Sequence, residues 1–246
     1  VIKTLEICCY TAESAINAED AGANRIELCD NYSEGGTTPS YATIKYVVDI
    51  LNIPVNVILR PRGGDFLYSD VEFEIMKQDA LKMKELGVNG LVFGFLKANG
   101  EIDTDRTKEV IDLVHPLEYT FHRAFDMCHN HFIALEQLKK LGINRILTSG
   151  GRDTAYDGAK AISEFIKASE DQLTVMPGSG IHEGNLGEIM EITGATEFHS
   201  SAKVFKPGGM TYYNQNIKMG KNDIDEFKKI NVNKESIVKM LKILSK

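Results

Sequence analysis

Two cysteines stand near the ends of short apolar segments and could hold a soft metal ion. Cys8 lies in the segment 5–9, and Cys29 ends the segment 25–29. Thiolate sulfur is a ligand that Cu(I) prefers, so two thiols at neighbouring strand ends would form a copper(I) site. The alternative is simple packing, because cysteine is among the most frequently buried side chains.

Carboxylates and imidazoles could transfer protons or hold a divalent metal ion. The candidates for this catalytic role are Glu6, Glu27, His122 and His199. Arginines are expected nearby, so the alternative is that the carboxylates are used in salt bridges.

A third group of residues could bind a small anion. Glycine-rich turns expose backbone amides, and arginines add positive charge. Glycine also serves any backbone position with positive φ, so such turns alone do not specify a ligand. The candidate anion-binding residues are Arg25, Arg60, Arg62, Arg123, Ser149, Gly150, Gly178 and Gly180.

One further run of polar residues could approach a metal ion. Asp126, Cys128, His129 and His131 are close together in the sequence. Neighbouring residues converge on one ion only in a suitable turn, so a solvated loop is the preferred interpretation. No role is assigned to this run.

Four similar segments indicate which elements must position these side chains. They begin at Gly22, Gly87, Gly142 and Gly194, and each continues into a short apolar or β-branched run. A glycine after a helix-like stretch suits a left-handed C-cap, and the run that follows predicts a strand. The segments lie 65, 55 and 52 residues apart, about twice the length of one βαβ unit. A further strand is therefore expected between each pair.

Suitable segments for these further strands lie at 5–9, 54–59, 116–121 and 173–176. Helical periodicity separates the strands, with Ser40, Thr154 and Asn185 as expected N-caps. Eight alternating units predict an α/β fold, a (β/α)8 TIM-type barrel that forms a single domain over residues 1–246. A basic amphipathic helix is expected at about 232–244. An open doubly wound sheet is the alternative, but no dinucleotide motif follows the first strand.

Strand alternation predicts which side chains face the barrel interior. Glu6 and Cys8 should share the inner face of the first strand, with Cys9 on the outer face. The glycine-anchored segments give three inward layers. The lowest layer contains Arg25, Gly90, Arg145 and Glu197, and the middle layer contains Glu27, Val92, Leu147 and His199. The top layer contains Cys29, Gly94, Ser149 and Ser201. Buried charges are costly unless paired, so the lowest layer should be either a structural ion-pair network or one that orients the glutamates above it.

Composition excludes several classes of protein. The net charge of −7 argues against a nucleic-acid partner. No apolar run approaches the length of a membrane helix, and no signal peptide is recognised. Four cysteines do not indicate a disulfide framework. A protein without membrane or nucleic-acid partners is expected.

The longest motifs lie in the loops that follow the strands, which is where barrel enzymes place their chemistry. They are Arg-Ile-Glu-Leu-Cys at 25–29, Gly-Gly-Thr-Thr-Pro-Ser at 35–40, Arg-Pro-Arg-Gly-Gly-Asp-Phe at 60–66, Thr-Phe-His-Arg-Ala-Phe-Asp at 120–126, Arg-Ile-Leu-Thr-Ser-Gly at 145–150 and Met-Pro-Gly-Ser-Gly at 176–180. With these motifs the chain resembles the CutC copper homeostasis proteins over about residues 3–205.

The resemblance implies a TIM-type barrel, a cytoplasmic location, a homo-oligomer (dimer or tetramer) and a link to copper tolerance. The family name records a phenotype, so no enzymatic reaction comes with it. Ser179 stands where the family often has glycine.

Two hypotheses for function follow. In the first, the barrel takes part in copper homeostasis and binds Cu(I) through Cys8 and Cys29. In the second, it is an enzyme that acts on a phosphorylated or carboxylated small molecule. Arg60 and the glycine loops would then hold the anion, while Glu27 and His122 move protons.

Overall fold

Eight parallel strands form a nearly closed barrel. The structure is a computed structural model that describes residues 3–214, 216–217 and 225–245. The strands are β1 (Thr4–Cys9), β2 (Arg25–Leu28), β3 (Val55–Ile58), β4 (Gly90–Phe93), β5 (Glu118–Phe121), β6 (Arg145–Thr148), β7 (Thr174–Pro177) and β8 (Glu197–Ser200). Hydrogen-bonded strands follow the order β7-β6-β5-β4-β3-β2-β1-β8, and β7 contacts β8 across the remaining seam. The predicted (β/α)8 barrel is confirmed.

Helices surround the barrel and alternate with its strands. They are α1 (Ala12–Asp20), α2 (Tyr41–Ile50), α3 (Asp70–Leu86), α4 (Thr104–Val114), α5 (His131–Lys140), α6 (Ala159–Ser169), α7 (Leu186–Thr193) and α8 (Lys234–Leu244). Short 3-10 helices lie at Tyr32–Glu34 and Arg123–Met127.

Caps explain several helix boundaries. The Ser40 hydroxyl accepts a backbone N–H in the first turn of α2, as predicted, and Asn185 directly precedes α7. The prediction that Thr154 caps α6 is wrong, because Gly158 precedes that helix. The Thr154 hydroxyl instead accepts the Asp157 N–H in the turn before it.

The apolar layer between the strands and the helices is buried. Six of its outward-facing strand residues have no exposed surface, and these are Ile26, Leu28, Leu91, Phe93, Ile146 and Phe198. Burying each such side chain contributes about 1.5–3 kcal/mol. This confirms the predicted outward phase and leaves the alternate residues for the barrel interior.

Strand register places the chemical side chains inside the barrel. Glu6 lies opposite Arg25 of β2 and opposite His199 of β8. Glu6 and Cys8 therefore share the inner face of β1, as predicted, whereas Cys9 packs in the outer apolar layer.

The carboxyl-terminal region differs from the prediction. The expected helix at about 232–244 starts only at Lys234, after the capping residue Asn233. Val232 belongs to β10 (Lys228–Val232), which pairs antiparallel with β9 (Lys203–Pro207). Part of the basic tail, including Lys218 and Lys221, lies outside the described residues. The hairpin places Lys203 beside the carboxyl end of the barrel.

Candidate functional site

A cavity of about 660 Å³ opens at the carboxyl ends of the strands. Its volume is in the range of small-molecule sites. Cys8, Glu27, Cys29 and His199 line its buried part, and Arg60, His122, Arg123 and Lys203 are also in its wall. The structure thus brings together most of the candidates from the sequence.

The two candidate metal-binding cysteines are in contact. The Cys8 Sγ and the Cys29 Sγ are 3.6 Å apart, and both side chains are buried. Cys8 belongs to β1, and Cys29 is the first residue after β2, so two adjacent strands hold the pair. Tyr10 and Ile58 pack around the sulfurs.

His199 and Glu27 meet beside the thiols. The Nε2 of His199 lies 2.7 Å from the Oε2 of Glu27, and both side chains are almost fully buried. Cys8, Glu27 and His199 each offer a ligand atom, and these atoms all lie within 4.8 Å of one another.

The protonation states in this cluster follow from its contacts. Hydrogen bonding by the Cys29 thiol lowers the pKa of Cys8, although burial opposes that change. Burial raises the pKa of Cys29 well above its usual value. Burial also works against a charged His199, yet its neighbours Cys8 and Glu27 raise the pKa of His199. Cys8 is therefore the more readily ionised thiol, next to an imidazolium.

This donor set fits a soft metal ion. Two thiols within contact distance, reachable from a cavity and adjacent to an imidazole, match the ligand preference of Cu(I). The other two cysteines are elsewhere, since Cys9 and Cys128 are both in the outer apolar core.

An ion-pair network lies below the cluster. Arg25 bridges Glu6 and Glu197, with its Nη2 2.6 Å from the Glu197 Oε2. Arg145 continues the chain, at 2.8 Å from Glu197 and 2.7 Å from Glu118. Arg25 and Glu6 are thus paired with each other. Burial would raise the pKa of Glu6, but Arg25 and His199 outweigh it and lower that pKa.

His122 stands in the cavity wall as a neutral imidazole. Its Nδ1 accepts the Ala124 N–H, so the ring proton is on Nε2. Burial, assisted by the charge of Arg60, lowers the pKa of His122 to about 3. No described residue gives its Nε2 a hydrogen-bond partner, and Phe66 packs against the ring.

Two of the candidate anion-binding arginines are already paired with groups of the protein. Arg60 donates to the carbonyl oxygens of Glu34, Gly36 and Gly64 while it lines the cavity. Arg62 is not among the lining residues, because its guanidinium pairs with Glu72 at the start of α3.

The loop after β6 is also internally paired. The Asp126 carboxylate accepts the Ser149 N–H and the Gly151 N–H, both at 3.1 Å, so these amides already have an anionic partner. Arg123 donates to Asp126 and to the Ser149 hydroxyl at 2.8 Å each. The Gly150 N–H donates to Thr148.

The glycines after β7 have different surroundings. Gly180 lines the cavity. Gly178 allows close packing, because a Cβ there would lie 2.4 Å from the Leu147 Cδ1 and 3.3 Å from the His199 ring.

The polar run after β5 is only in part the predicted solvated loop, because His129 is exposed but the other three residues are buried or half-buried. Cys128 is buried, and its thiol donates to the Ala124 carbonyl. His131 begins α5 and packs against the rings of Phe125 and Phe165. Among the described residues, the one cluster with metal-ligating geometry is Cys8, Glu27 and His199.

The sequence interpretation missed an aromatic group at the cavity. Tyr10 packs edge-on against Tyr32, and Tyr32 packs against Phe205 of β9. Lys203 donates to the Tyr32 hydroxyl at 2.5 Å. The hairpin that supplies Lys203 and Phe205 was not predicted, and no local signal connected it to Tyr32.

Across residues 3–214, 216–217 and 225–245, no helix is both long and apolar enough to span a bilayer.

Comparison with known proteins places the chain in one family. The CutC family model matches residues 3–204. A human protein named copper homeostasis protein cutC homolog is 48% identical over 216 residues, which are 88% of this chain and 79% of the relative. A CutC family protein of Parabacteroides distasonis is 44% identical over 237 residues, which are 96% of this chain and 98% of the relative.

A solved structure agrees with this assignment. It is the crystal structure of a protein from Streptococcus agalactiae described as a copper homeostasis protein CutC. It has a TM-score of 0.78 and 33% sequence identity, and covers 81% of this chain and 99% of its own. Sequence motifs, barrel topology and these comparisons agree, and the chain belongs to the CutC family.

Proposed function

We propose that this protein acts in copper homeostasis and binds Cu(I) as its cargo through Cys8 and Cys29. The observation that carries the proposal is the 3.6 Å contact between the two Sγ atoms in the wall of the cavity. A bent S–Cu–S angle, with His199 as a third donor, fits the 3.6 Å separation of the two sulfurs. Relatives of this chain bear the name copper homeostasis protein.

A competition titration tests the proposal. Reduced protein is titrated with Cu(I) in the presence of a chromogenic Cu(I) chelator. One tightly held ion is expected, and the variant Cys8→Ser, Cys29→Ser should lose at least about 100-fold in affinity, since both soft ligands are gone.

A matched control separates the site from general thiol chemistry. The variant Cys9→Ala, Cys128→Ala removes the two other buried cysteines and should leave Cu(I) affinity unchanged. Equal affinity in the wild type and in the Cys8→Ser, Cys29→Ser variant would refute the proposal.

We extend the proposal to the cytoplasm and to a homo-oligomer. The buried thiols of Cys8 and Cys29 must stay reduced to bind Cu(I), which a reducing compartment ensures. The family resemblance supports a dimer or tetramer, and light scattering on the purified protein tests it.

A second candidate function is an enzyme for an anionic small molecule. The observation in its favour is the unpartnered Nε2–H of His122 in the wall of a cavity larger than one metal ion needs. In this function His122 donates a hydrogen bond to a substrate oxygen, and Glu27 with His199 moves the proton.

Thermal-shift screening tests the second candidate. Sugar phosphates and small carboxylic acids are added to the metal-free protein, and an increase in Tm that disappears in His122→Asn is expected. If no compound in either class raises the Tm, the enzyme hypothesis fails. The copper titration is independent of this result.

A further inference from the structure

A series of aromatic contacts runs from the inner part of the cavity to the surface of the protein. Tyr10 packs on the cluster of Cys8, Cys29 and Ile58. The ring of Tyr32 packs edge-on against Tyr10, with the ring centroids 5.2 Å apart. Exposure increases along the series, because the sulfurs are buried and both tyrosines are half-buried. Since Tyr10 and Tyr32 also line the cavity, the two rings cover its buried part.

The β9–β10 hairpin holds these rings from the outside. The Phe205 ring centroid lies 5.8 Å from that of Tyr32, and Lys203 donates to the Tyr32 hydroxyl at 2.5 Å. Successive side chains of a strand point to opposite faces, so Lys203 and Phe205 share one face of β9. Both contacts are made with the same side chain, and Tyr32 therefore connects the hairpin to Tyr10.

The hairpin is less firmly held than the barrel strands. Its two strands form a sheet of their own, separate from the eight-stranded barrel. In β9 only Val204 is half-buried, and the other four residues are exposed. A two-stranded hairpin is marginally stable by itself, and elements with few buried apolar contacts open at a lower free energy than the core. The hairpin can therefore move while the barrel stays folded.

One end of the hairpin is anchored and the other is exposed. The Asn231 Oδ1 accepts the Asn17 amide at 3.0 Å, and the Asn233 N–H donates to the Ala202 carbonyl at 2.7 Å. Pro207 and Lys228, at the opposite end, are exposed. Hinges are a few residues at the ends of elements, so Ala202 and Asn233 are placed to act as the pivot.

We propose that the β9–β10 hairpin is a lid, which holds Tyr32 and Tyr10 over the inner cavity and admits ligands when it turns about Ala202 and Asn233. In the closed position Phe205 and Lys203 contact Tyr32. In the open position both contacts are broken, and Tyr10 loses the ring that supports it. The inference goes beyond the proposed function, because it concerns entry to the cavity whether the ligand is copper or an organic anion.

The rate at which a thiol reagent reaches the inner cavity tests the lid. The full-length reduced protein with Cys9→Ala and Cys128→Ala keeps only the two cavity thiols, and N-ethylmaleimide, an uncharged reagent, modifies them in the native state. Adding Phe205→Ala removes a ring contact of Tyr32 and should raise the modification rate about 3- to 10-fold. An unchanged rate would refute the lid.

Two further variants in the same background assign the contacts. Tyr32→Phe keeps the ring but cannot accept the hydrogen bond from Lys203, so its rate should rise less than that of Phe205→Ala. Lys206→Ala is the matched control, because Lys206 is exposed on the opposite face of β9. Its rate should equal that of the unchanged hairpin. An equal increase in Lys206→Ala and Phe205→Ala would contradict the proposal.

A second background separates lid opening from unfolding. The variant Cys8→Ser, Cys29→Ser leaves Cys9 and Cys128, which lie in the outer apolar core. Phe205→Ala should not change their rate of modification, since the barrel stays folded when the lid opens. Equal acceleration in both backgrounds would mean general destabilisation and would overturn the lid. These measurements use no metal, so failure of the copper proposal leaves them unaffected.

Discussion

The Nε2 of His199 on β8 lies 2.7 Å from the Oε2 of Glu27 on β2, across the face of the intervening strand β1. The two residues are far apart in the sequence, and the barrel interior holds them together. Their contact joins the thiol pair to the ion-pair network below, because the Glu6 Oε1 also lies 3.9 Å from the same nitrogen.

Glu27→Gln should destabilise the protein by about 3 kcal/mol at neutral pH, because it leaves a buried imidazolium without its partner. Urea unfolding measures the change, and NMR titration should show a lower pKa for His199. The control Glu85→Gln removes an exposed pair with Lys82 and should leave the stability nearly unchanged, because solvent screens such pairs. Similar losses in both variants would count against the buried pair.

Cu(I) affinity should rise with pH. Burial raises the pKa of Cys29, so at neutral pH the metal must displace its proton. Release of the Cys29 proton alone makes the affinity about tenfold higher for each pH unit below that pKa, and loss of a proton from His199 makes the slope steeper. Competition titrations at pH 6, 7 and 8 measure the slope. A flat profile would show that Cys29 is ionised before copper binds.

His122 should make the fold sensitive to acid. Its pKa falls from about 6.5 in the unfolded chain to about 3 in the native state. A depressed pKa gives stability that is present above pH 6.5 and is lost as pH falls towards 3. The loss reaches about 4–5 kcal/mol at the lower end.

His122→Asn isolates this effect from that of the carboxylates. Asparagine can still accept the Ala124 N–H at the start of the 3-10 helix, but it does not titrate. Unfolding free energies measured between pH 4.5 and 6.5 should fall with acid in the wild type and stay nearly level in the variant. Parallel curves for the two proteins would be inconsistent with a neutral buried His122.

Gly90→Ala should destabilise the barrel by about 1–3 kcal/mol through overpacking. A Cβ at Gly90 would lie 2.6 Å from the Asn56 Oδ1 and 2.9 Å from the Glu118 carbonyl oxygen. Gly187→Ala in α7 is the control, because the nearest atom to its Cβ is 3.8 Å away and alanine favours the helix. Thermal unfolding measures the Tm, which should fall in Gly90→Ala and not in Gly187→Ala.

Ser179 adopts a φ of +80°, which strains a residue that has a Cβ. Its hydroxyl donates to the Asp153 carbonyl at 2.7 Å. Ser179→Ala loses that bond and keeps the strain, whereas Ser179→Gly loses both. The glycine variant should therefore be about 1 kcal/mol more stable than the alanine variant. Chemical denaturation compares the two, and an alanine variant of equal stability would exclude backbone strain at this position.

Local pattern in the sequence was enough for the barrel and for the inward phase of its strands. Strand alternation has a period of two, so Glu6, Cys8 and Glu27 could be assigned to the interior without knowledge of their neighbours. The repeated glycine–strand segments gave the number of units, because a helix end and a strand start are local signals.

Contacts between loops could not be predicted in the same way. The Asp126 carboxylate accepts amides of the loop after β6. Arg60 donates to two carbonyls of the loop after β2 and to one carbonyl of its own loop. Cys128 was expected in a solvated loop but is buried. These contacts depend on which backbone atoms remain without a hydrogen-bond partner in the folded loops. No short sequence motif predicts which atoms those are.

The sequence by itself determined the CutC-like barrel, the inner faces of its strands and the residue types of the site. Only the tertiary structure decided that Cys8 and Cys29 touch at 3.6 Å, that His199 pairs with Glu27, and that Arg62 lies outside the cavity. Side-chain separation across a barrel depends on the stagger of strands and on competing partners. Both are properties of the assembled fold rather than of any segment of the chain.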